Sequence, residues 1–281
     1  MKLTLKYNLI ILFILIAVNY TKAQNDSKNQ FDYAEQLYNH DKYYDAITEY
    51  KRLLFFDTSG EYSFAANLKI GLCYRAGAKL DEAIKYFSIA EMNTNDIDQK
   101  YRASIEIVRS NILRKTTDRA MQVLDEMEKS ELYNTKLDSL NYWRGWAYMF
   151  ADDWQSASKT FAKYPSFNNL RFICDGVINK KVSVTFATVI SYILPGSGQI
   201  YTGNYLSGLM SLGYNVLFGY LTINAFNADR VFDGTATGLL LWLRFYRGNI
   251  QNAKKFAEEK NINIANAALN DLQKNYQGMK P

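Results

Sequence analysis

Apolar and polar positions along the chain fall into three successive patterns. The first is an unbroken apolar run, Leu9 to Val18, behind Lys2 and Lys6. It has the length of a signal-peptide core and is short for a membrane span. The small-residue signature Thr21-Lys22-Ala23 follows, which predicts a signal peptide over 1–23 and a mature start at Gln24. An uncleaved anchor is the alternative. No cysteine stands at the cleavage site, so lipid attachment there is not expected.

The second pattern has helical spacing and repeats. Ala46, Ala83, Ala120 and Ala157 stand 37 residues apart. One turn later, on the same face, come Tyr50, Phe87, Leu124 and Phe161. Twelve residues before each alanine stand Ala34, Gly71, Val108 and Gly145, and three further on Leu37, Tyr74, Asn111 and Tyr148. A small residue on one helix lets the next approach, and the alanine on that helix receives it. Tyr43, Leu80 and Trp154 are expected to fill the space by the turn. Gly71-x-x-Tyr74…Ala83-x-x-x-Phe87 and Gly145-x-x-Tyr148…Ala157-x-x-x-Phe161 resemble the tetratricopeptide repeat, whose units run about 34 residues. The extra residues fit the links Phe56 to Glu61 and Met92 to Asp96, where turn-forming types cluster. The third unit, with Val108, Asn111 and Thr117 at its signature positions, reads as degenerate.

The third pattern is a stretch of 47 residues, Val182 to Ala228, without one charge. A soluble helix shows a charged face within two turns, so this stretch has no evident water-facing side. It breaks at Leu194-Pro195-Gly196-Ser197-Gly198-Gln199 and again at Thr202-Gly203-Asn204. Tyr205 to Phe226 is long enough to span a hydrocarbon core of about 30 Å. Ser207, Ser211, Asn215 and Gly219 make a small, polar stripe along it, as in packed membrane helices. A buried soluble hairpin is the alternative. Val182 to Leu194 is short, and needs either a tilted continuation through Tyr201 or a re-entrant path. A further apolar piece, Gly234 to Leu243, is followed by Arg244, Arg247, Lys254 and Lys255. These basic residues favour three membrane-embedded segments with a cytoplasmic tail.

Leu194-Pro195-Gly196-Ser197-Gly198-Gln199-Ile200-Tyr201-Thr202-Gly203 and Phe245-Tyr246-Arg247-Gly248-Asn249 resemble a bacterial membrane-protein family of uncharacterised function. That family carries a Pro-Gly-x-Gly-Gln-x-Tyr-x-Gly loop and a Tyr-x-Gly-Asn element around a small helical hairpin, often beside tetratricopeptide repeats. Some of its relatives are linked to a membrane-insertion efficiency factor. The resemblance implies a membrane domain and no reaction. The motif residues are Pro195, Gly196, Gly198, Gln199, Tyr201, Gly203, Tyr246, Gly248 and Asn249. In the residues themselves, Pro195 stops a helix, the glycines allow a tight turn, and Gln199 with Asn249 is expected to satisfy backbone groups. A lipid-headgroup contact at Gln199, Tyr201 and Asn249 is the other reading. A phosphate cradle is disfavoured, because the loop lacks the Gly-Lys-Ser/Thr ending.

The expected fold class is therefore all-α: a tetratricopeptide-like helical-repeat solenoid over 24–170, a transmembrane helical hairpin region over 180–250, and an amphipathic tail over 251–281. Stacked helix pairs present a concave face from the first helix of each pair. Phe31, Glu35, Tyr38, Leu72, Arg75, Arg109, Ile112, Tyr142, Trp146 and Met149 should lie there, with arginines and aromatics making a protein-binding face. Tyr142, Trp146 and Met149 read equally well as core.

Charge and chemistry narrow the function. The formal charge is +5, but Lys2, Lys6 and Lys22 belong to the leader, and the +2 that remains offers no nucleic-acid surface. Cys73 and Cys174 read as ordinary buried residues, with pairing in an oxidising compartment as the alternative. His40 is the sole histidine, in a turn, so no metal site and no nucleophile–base pair suggests itself. Asp81, Glu82, Asp152 and Asp153 fall where helix N-terminal charges belong. No enzyme activity and no cofactor is expected. The reading is an exported scaffold at the inner membrane, binding protein partners through the repeats and lipid through the hairpin, with self-association through the hairpin open. The alternative is a lipid or membrane-protein assembly component whose activity resides in the hairpin.

Overall fold

The computed structural model describes residues 26–281, so the signal segment lies outside the described residues. Among the described residues every regular element is helical and no strand occurs. They form two compact units, one ending at Asn168 and one comprising Asn169–Lys280.

The first unit contains α1 (residues 26–39), α2 (Tyr43–Phe56), α3 (Ser63–Ala76), α4 (Leu80–Met92), α5 (Ile97–Leu113), α6 (Thr117–Glu128), α7 (Leu137–Phe150) and α8 (Trp154–Phe161). From α2 onward each helix packs on the next, and α5 also touches α3 and α7. The 37-residue spacing seen in side chains recurs in the backbone. Asp41, Ala78, Lys115 and Asp152 are left-handed, with φ of +58°, +56°, +61° and +63°. In each turn the following amide reaches back five residues: Lys42 to Leu37, Lys79 to Tyr74, Thr116 to Asn111 and Asp153 to Tyr148, at 2.9–3.0 Å. This is the Schellman end, which satisfies the last helical carbonyls while reversing the chain. The third unit, read as degenerate, has the same turn.

A left-handed L-residue costs about 1–2 kcal/mol, and glycine avoids that at an entropic cost of about 0.5–1 kcal/mol. Ala78 is exposed and loses no packing. Ala78→Gly should therefore raise the thermal midpoint of this unit slightly; a fall of several degrees would contradict the turn geometry.

The four alanines of the period are fully buried, as are Tyr50, Phe87, Leu124 and Phe161. Facing positions compensate in size. A Cβ at Gly71 would stand 2.5 Å from Cδ1 and Cε1 of Phe87, and one at Gly145 would overlap the Phe161 ring. Where the small position is filled by Val108, the large one shrinks to Leu124. Trp154 closes its turn by donating from Nε1 to Asp152 Oδ1 at 2.7 Å. Asp153 caps α8 by accepting from the Ser156 amide at 3.0 Å, and this hydrogen bonding holds its carboxyl below the usual range.

The second unit contains α9 (Asn168–Lys180), α10 (Val184–Ile193), α11 (Ser197–Tyr201), α12 (Tyr205–Asn227), α13 (Val231–Ala236), a π-helical turn at Thr237–Trp242, and α14 (Leu243–Asn275). The tail read as separate from 251 is continuous with the helix that carries Asn249. α12 is long and apolar enough to cross a membrane by length and composition.

Polarity along α10 and α12 is inverted. The buried residues of α12 are Gly208, Asn215, Gly219, Thr222 and Ala225, all small or polar. Its leucines and valines face outward: Leu206 is 74 % exposed and Val216 63 %. Ser191, Gln199 and Asn249 are buried, while Ile193 on α10 and Leu240 on the π turn are exposed. Cys73 in the first unit and Cys174 in the second are both buried, unpaired thiols, and burial pushes each up to about 12.

Candidate functional site

Ten residues were expected on one face of the repeats, and the structure divides them. Ile112, Tyr142, Trp146 and Met149 are buried and belong to the core. Phe167, at 5.2 Å between ring centroids, helps to cover Tyr142, so these four cannot serve as an open docking surface. Phe31 is partly buried against Tyr50 and Tyr62. Leu72 packs at the edge of the cluster around Ala83 and Phe87.

The other four carry an ionic row. Glu35 accepts from Tyr50 Oη and, at 2.6 Å, from Lys69 Nζ, which lies 4.4 Å above the Tyr38 ring. Arg75 and Arg109 converge from α3 and α5 on Glu106, Arg109 at 2.8 Å. Arg109 stacks over Trp143 at 5.2 Å and Arg75 over Phe87 at 5.9 Å. Burial lowers the Arg75 guanidinium's pKa while Glu106 opposes it. Lys69, Glu106 and Trp143 were missed by the sequence reading. They had a signal, since they form another row spaced by 37, three residues before Leu72, Arg109 and Trp146. Because both arginines already hold Glu106, an incoming carboxylate must compete with it. Outside this face, Tyr44, Phe55 and Phe56 are also exposed on α2 and were not singled out.

In the second unit the two motifs meet. Pro195 has no N–H, so the Ser191 carbonyl one turn earlier lacks its helical donor. Asn249, more than 50 residues away, supplies it: Nδ2 donates to Ser191 O at 2.8 Å. Its Oδ1 accepts from the Gly196 amide at 2.7 Å, Ser211 Oγ at 3.0 Å and Gln199 Nε2 at 3.1 Å. Gln199 Nε2 also lies 3.1 Å from the Asn249 carbonyl. The Gly198 amide donates to Ser191 Oγ at 3.0 Å. Both loop amides are thus engaged internally, which removes the phosphate-cradle geometry. The buried amide oxygens of Gln199 and Asn215 have no protein partner, leaving acceptor capacity inside the cluster.

Close approach explains two of the glycines. Gly196 has φ +93°, and a Cβ there would strike the Gly208 carbonyl. A Cβ at Gly198 would lie 2.7 Å from that of Ala253, on α14. Gly203 forms the left-handed turn before α12, with φ +92°. Tyr201 Oη accepts from the Ser183 amide at 3.3 Å, and Tyr246 Oη donates to the Tyr192 carbonyl at 2.8 Å. At Gly248 a Cβ would meet nothing within 4 Å, so packing does not demand that glycine.

These contacts set the course of the chain. Gly234 faces Phe226, Gly238 faces Thr222, Trp242 faces Gly219 and Phe245 stacks on Phe218. With Asn249 on Ser211, the segment after α12 runs back antiparallel along it. α10 likewise runs antiparallel to α14, from Val182 on Asn261 to Tyr192 on Tyr246. α11 then returns, so that Thr202 accepts from Lys260. The start of α10, the start of α12 and the distal part of α14 therefore share one end of this unit, and the turn Ala228-Asp229-Arg230 is the other.

Comparison with family models, with curated proteins and with solved structures found no match to this chain. Among the described residues no group of three His, Cys, Asp or Glu side chains is placed to hold a metal ion.

Proposed function

We propose that the chain is an exported helical-repeat scaffold, anchored in the inner membrane by its second unit and binding protein partners through its first. Inverted polarity carries the membrane half of this reading. Apolar side chains cover the outside of α12 while its small and polar ones turn inward, the reverse of a water-soluble unit. The helix's 23 residues make about 34 Å at 1.5 Å each, enough for the hydrocarbon core. α10 and α11 then form a re-entrant hairpin, its polar turn sealed by Asn249 rather than by water.

The fourfold turn and the buried alanine row support a tetratricopeptide-like solenoid, and the two joined motifs support the resemblance to the membrane family. The ionic row Glu35–Lys69 and Arg75–Glu106–Arg109, whose side chains are only 12–24 % exposed, is the polar part of the partner-binding face. No reaction, cofactor or metal belongs to this reading. The antiparallel register favours a tail on the same side as Lys180 and Lys181, in place of a tail across the membrane from the repeats. An assembly or transport role centred on the hairpin is the second reading, favoured by the buried polar cluster beneath an apolar exterior.

After fractionation the protein should resist alkaline and high-salt washes and need detergent for release. Single cysteines at Gly60 and Asn275 should both label from the periplasmic side in intact cells, since the native thiols are buried. Recovery in the soluble fraction would overturn the membrane reading. Labelling of Asn275 from the cytoplasm alone would overturn the hairpin topology. Removing 26–168 should abolish crosslinking to a partner, whereas removing 182–250 should spare it; the reverse result favours the second reading.

A further inference from the structure

Between α12 and the start of α14 runs an open groove of about 770 Å³, within the usual size of small-molecule sites. Leu206 and Met210 on α12 line it towards one end, and Leu239 with Leu243 towards the other. Arg244 and Arg247 are its only charged lining residues. Neither engages a carboxylate. None is near in the chain either, for no acidic residue occurs from 234 to 257 and α10 and α12 carry no charge at all. By contrast Lys254 and Lys255, just beyond the groove, each lie within ion-pair distance of a glutamate one turn on.

Two arginines beside apolar walls, with no internal counter-charge, call for an anion that brings its own hydrocarbon. Guanidinium groups match phosphate oxygens in bidentate geometry, and a charge beside hydrocarbon is costly until paired. Gly248 lines the same groove and is not required by packing. A side chain there would fill the channel that the glycine leaves open.

Resting on the membrane reading above, we infer that this groove binds one anionic glycerophospholipid. Its phosphodiester lies between Arg244 and Arg247, and its acyl chains run along Leu243 and Leu239, on the side of the arginines away from Lys254 and Lys255. The site is a docking surface for the lipid and involves no covalent step. Ser211 and Asn249 also line the groove, so the bound lipid covers the outer side of the polar cluster that holds the Pro195 turn.

The test is a native mass-spectrometry titration of the full chain in mild detergent, with phosphatidylglycerol and with phosphatidylcholine of matched chains. Wild type should bind phosphatidylglycerol about tenfold more tightly or better. R244Q/R247Q should lose that preference, and K254Q/K255Q, with the same loss of charge, should keep it. Gly248→Leu supplies a variant that meets no neighbour at Cβ and keeps both arginines; it should weaken binding as much by filling the groove. Equal binding of the two lipids, equal loss in K254Q/K255Q, or undiminished binding to Gly248→Leu would each overturn the inference. Failure here, in protein that still needs detergent for release, leaves the membrane reading intact. Recovery of the chain as a soluble protein refutes that reading instead.

Discussion

Asn249→Leu should collapse the second unit, although the replacement is nearly the same size. The side chain it removes is the partner of four groups: the buried Ser191 carbonyl, Gly196 amide and Gln199 Nε2, and the partly buried Ser211 Oγ. Two of these are backbone groups that no rotamer can redirect. A buried polar group stripped of its partner costs about 1–3 kcal/mol, so the two backbone groups alone imply a loss of about 2–6 kcal/mol. Leucine would also set an apolar side chain among those orphaned groups. In detergent the variant's second unit should melt at a lower temperature than the parent's and become protease-sensitive between Leu194 and Gly203. Ser211→Ala removes only one adaptable hydroxyl and should cost less than about 1.5 kcal/mol. A melting profile for Asn249→Leu that matches the parent would mean that the proline turn is held by something other than this side chain.

A second large effect is expected in the repeats, with a built-in rescue. Gly145 faces Phe161 so closely that any Cβ overlaps the ring, whereas the equivalent pair one unit earlier is Val108 with Leu124. Gly145→Val alone should destabilise the first unit by about 3 kcal/mol, since overpacking a core costs about 1–3 kcal/mol and this contact leaves little room. Phe161→Leu alone opens a cavity and should cost about 1–3 kcal/mol. Together they recreate the Val–Leu pair of the third unit, so the double variant should be more stable than Gly145→Val by at least about 1 kcal/mol. Denaturant unfolding of the four members of the cycle measures the coupling. Simple additivity would mean that the small and large positions do not face each other as a pair.

Much of this architecture is written in local pattern. The 37-residue spacing of Ala46, Ala83, Ala120 and Ala157 marks one buried stripe per helix pair. It did so because a helix repeats every 3.6 residues and a small side chain is needed wherever two helices touch. The same spacing located the turns, which close with left-handed residues at one position in each unit. The charge-free stretch from Val182 to Ala228 announced the apolar helix α12, because composition alone decides whether a helix has a water-facing side. The two motif pieces were visible as well, each as an isolated string of residues.

Side-chain pairing across distance was not legible. Periodicity tells which face of a helix turns inward but not how far its neighbour slides along it. That register depends on interlocking contacts, such as Gly196 on Gly208 and Gly198 on Ala253. Only with that register set does Asn249 land on the carbonyl that Pro195 leaves without a donor. The same reason separates the row of Arg75 and Arg109 from that of Trp146 and Met149. All four share the spacing of one face, but whether a position on it stays open depends on what the rest of the chain lays over it. For Tyr142 part of that cover is Phe167, from a short turn beyond the last repeat. Sequence determined the helices, their small-residue seams and the long apolar helix α12; tertiary packing decided which polar groups answer one another, because hydrogen bonds between distant helices are fixed by register and not by local propensity.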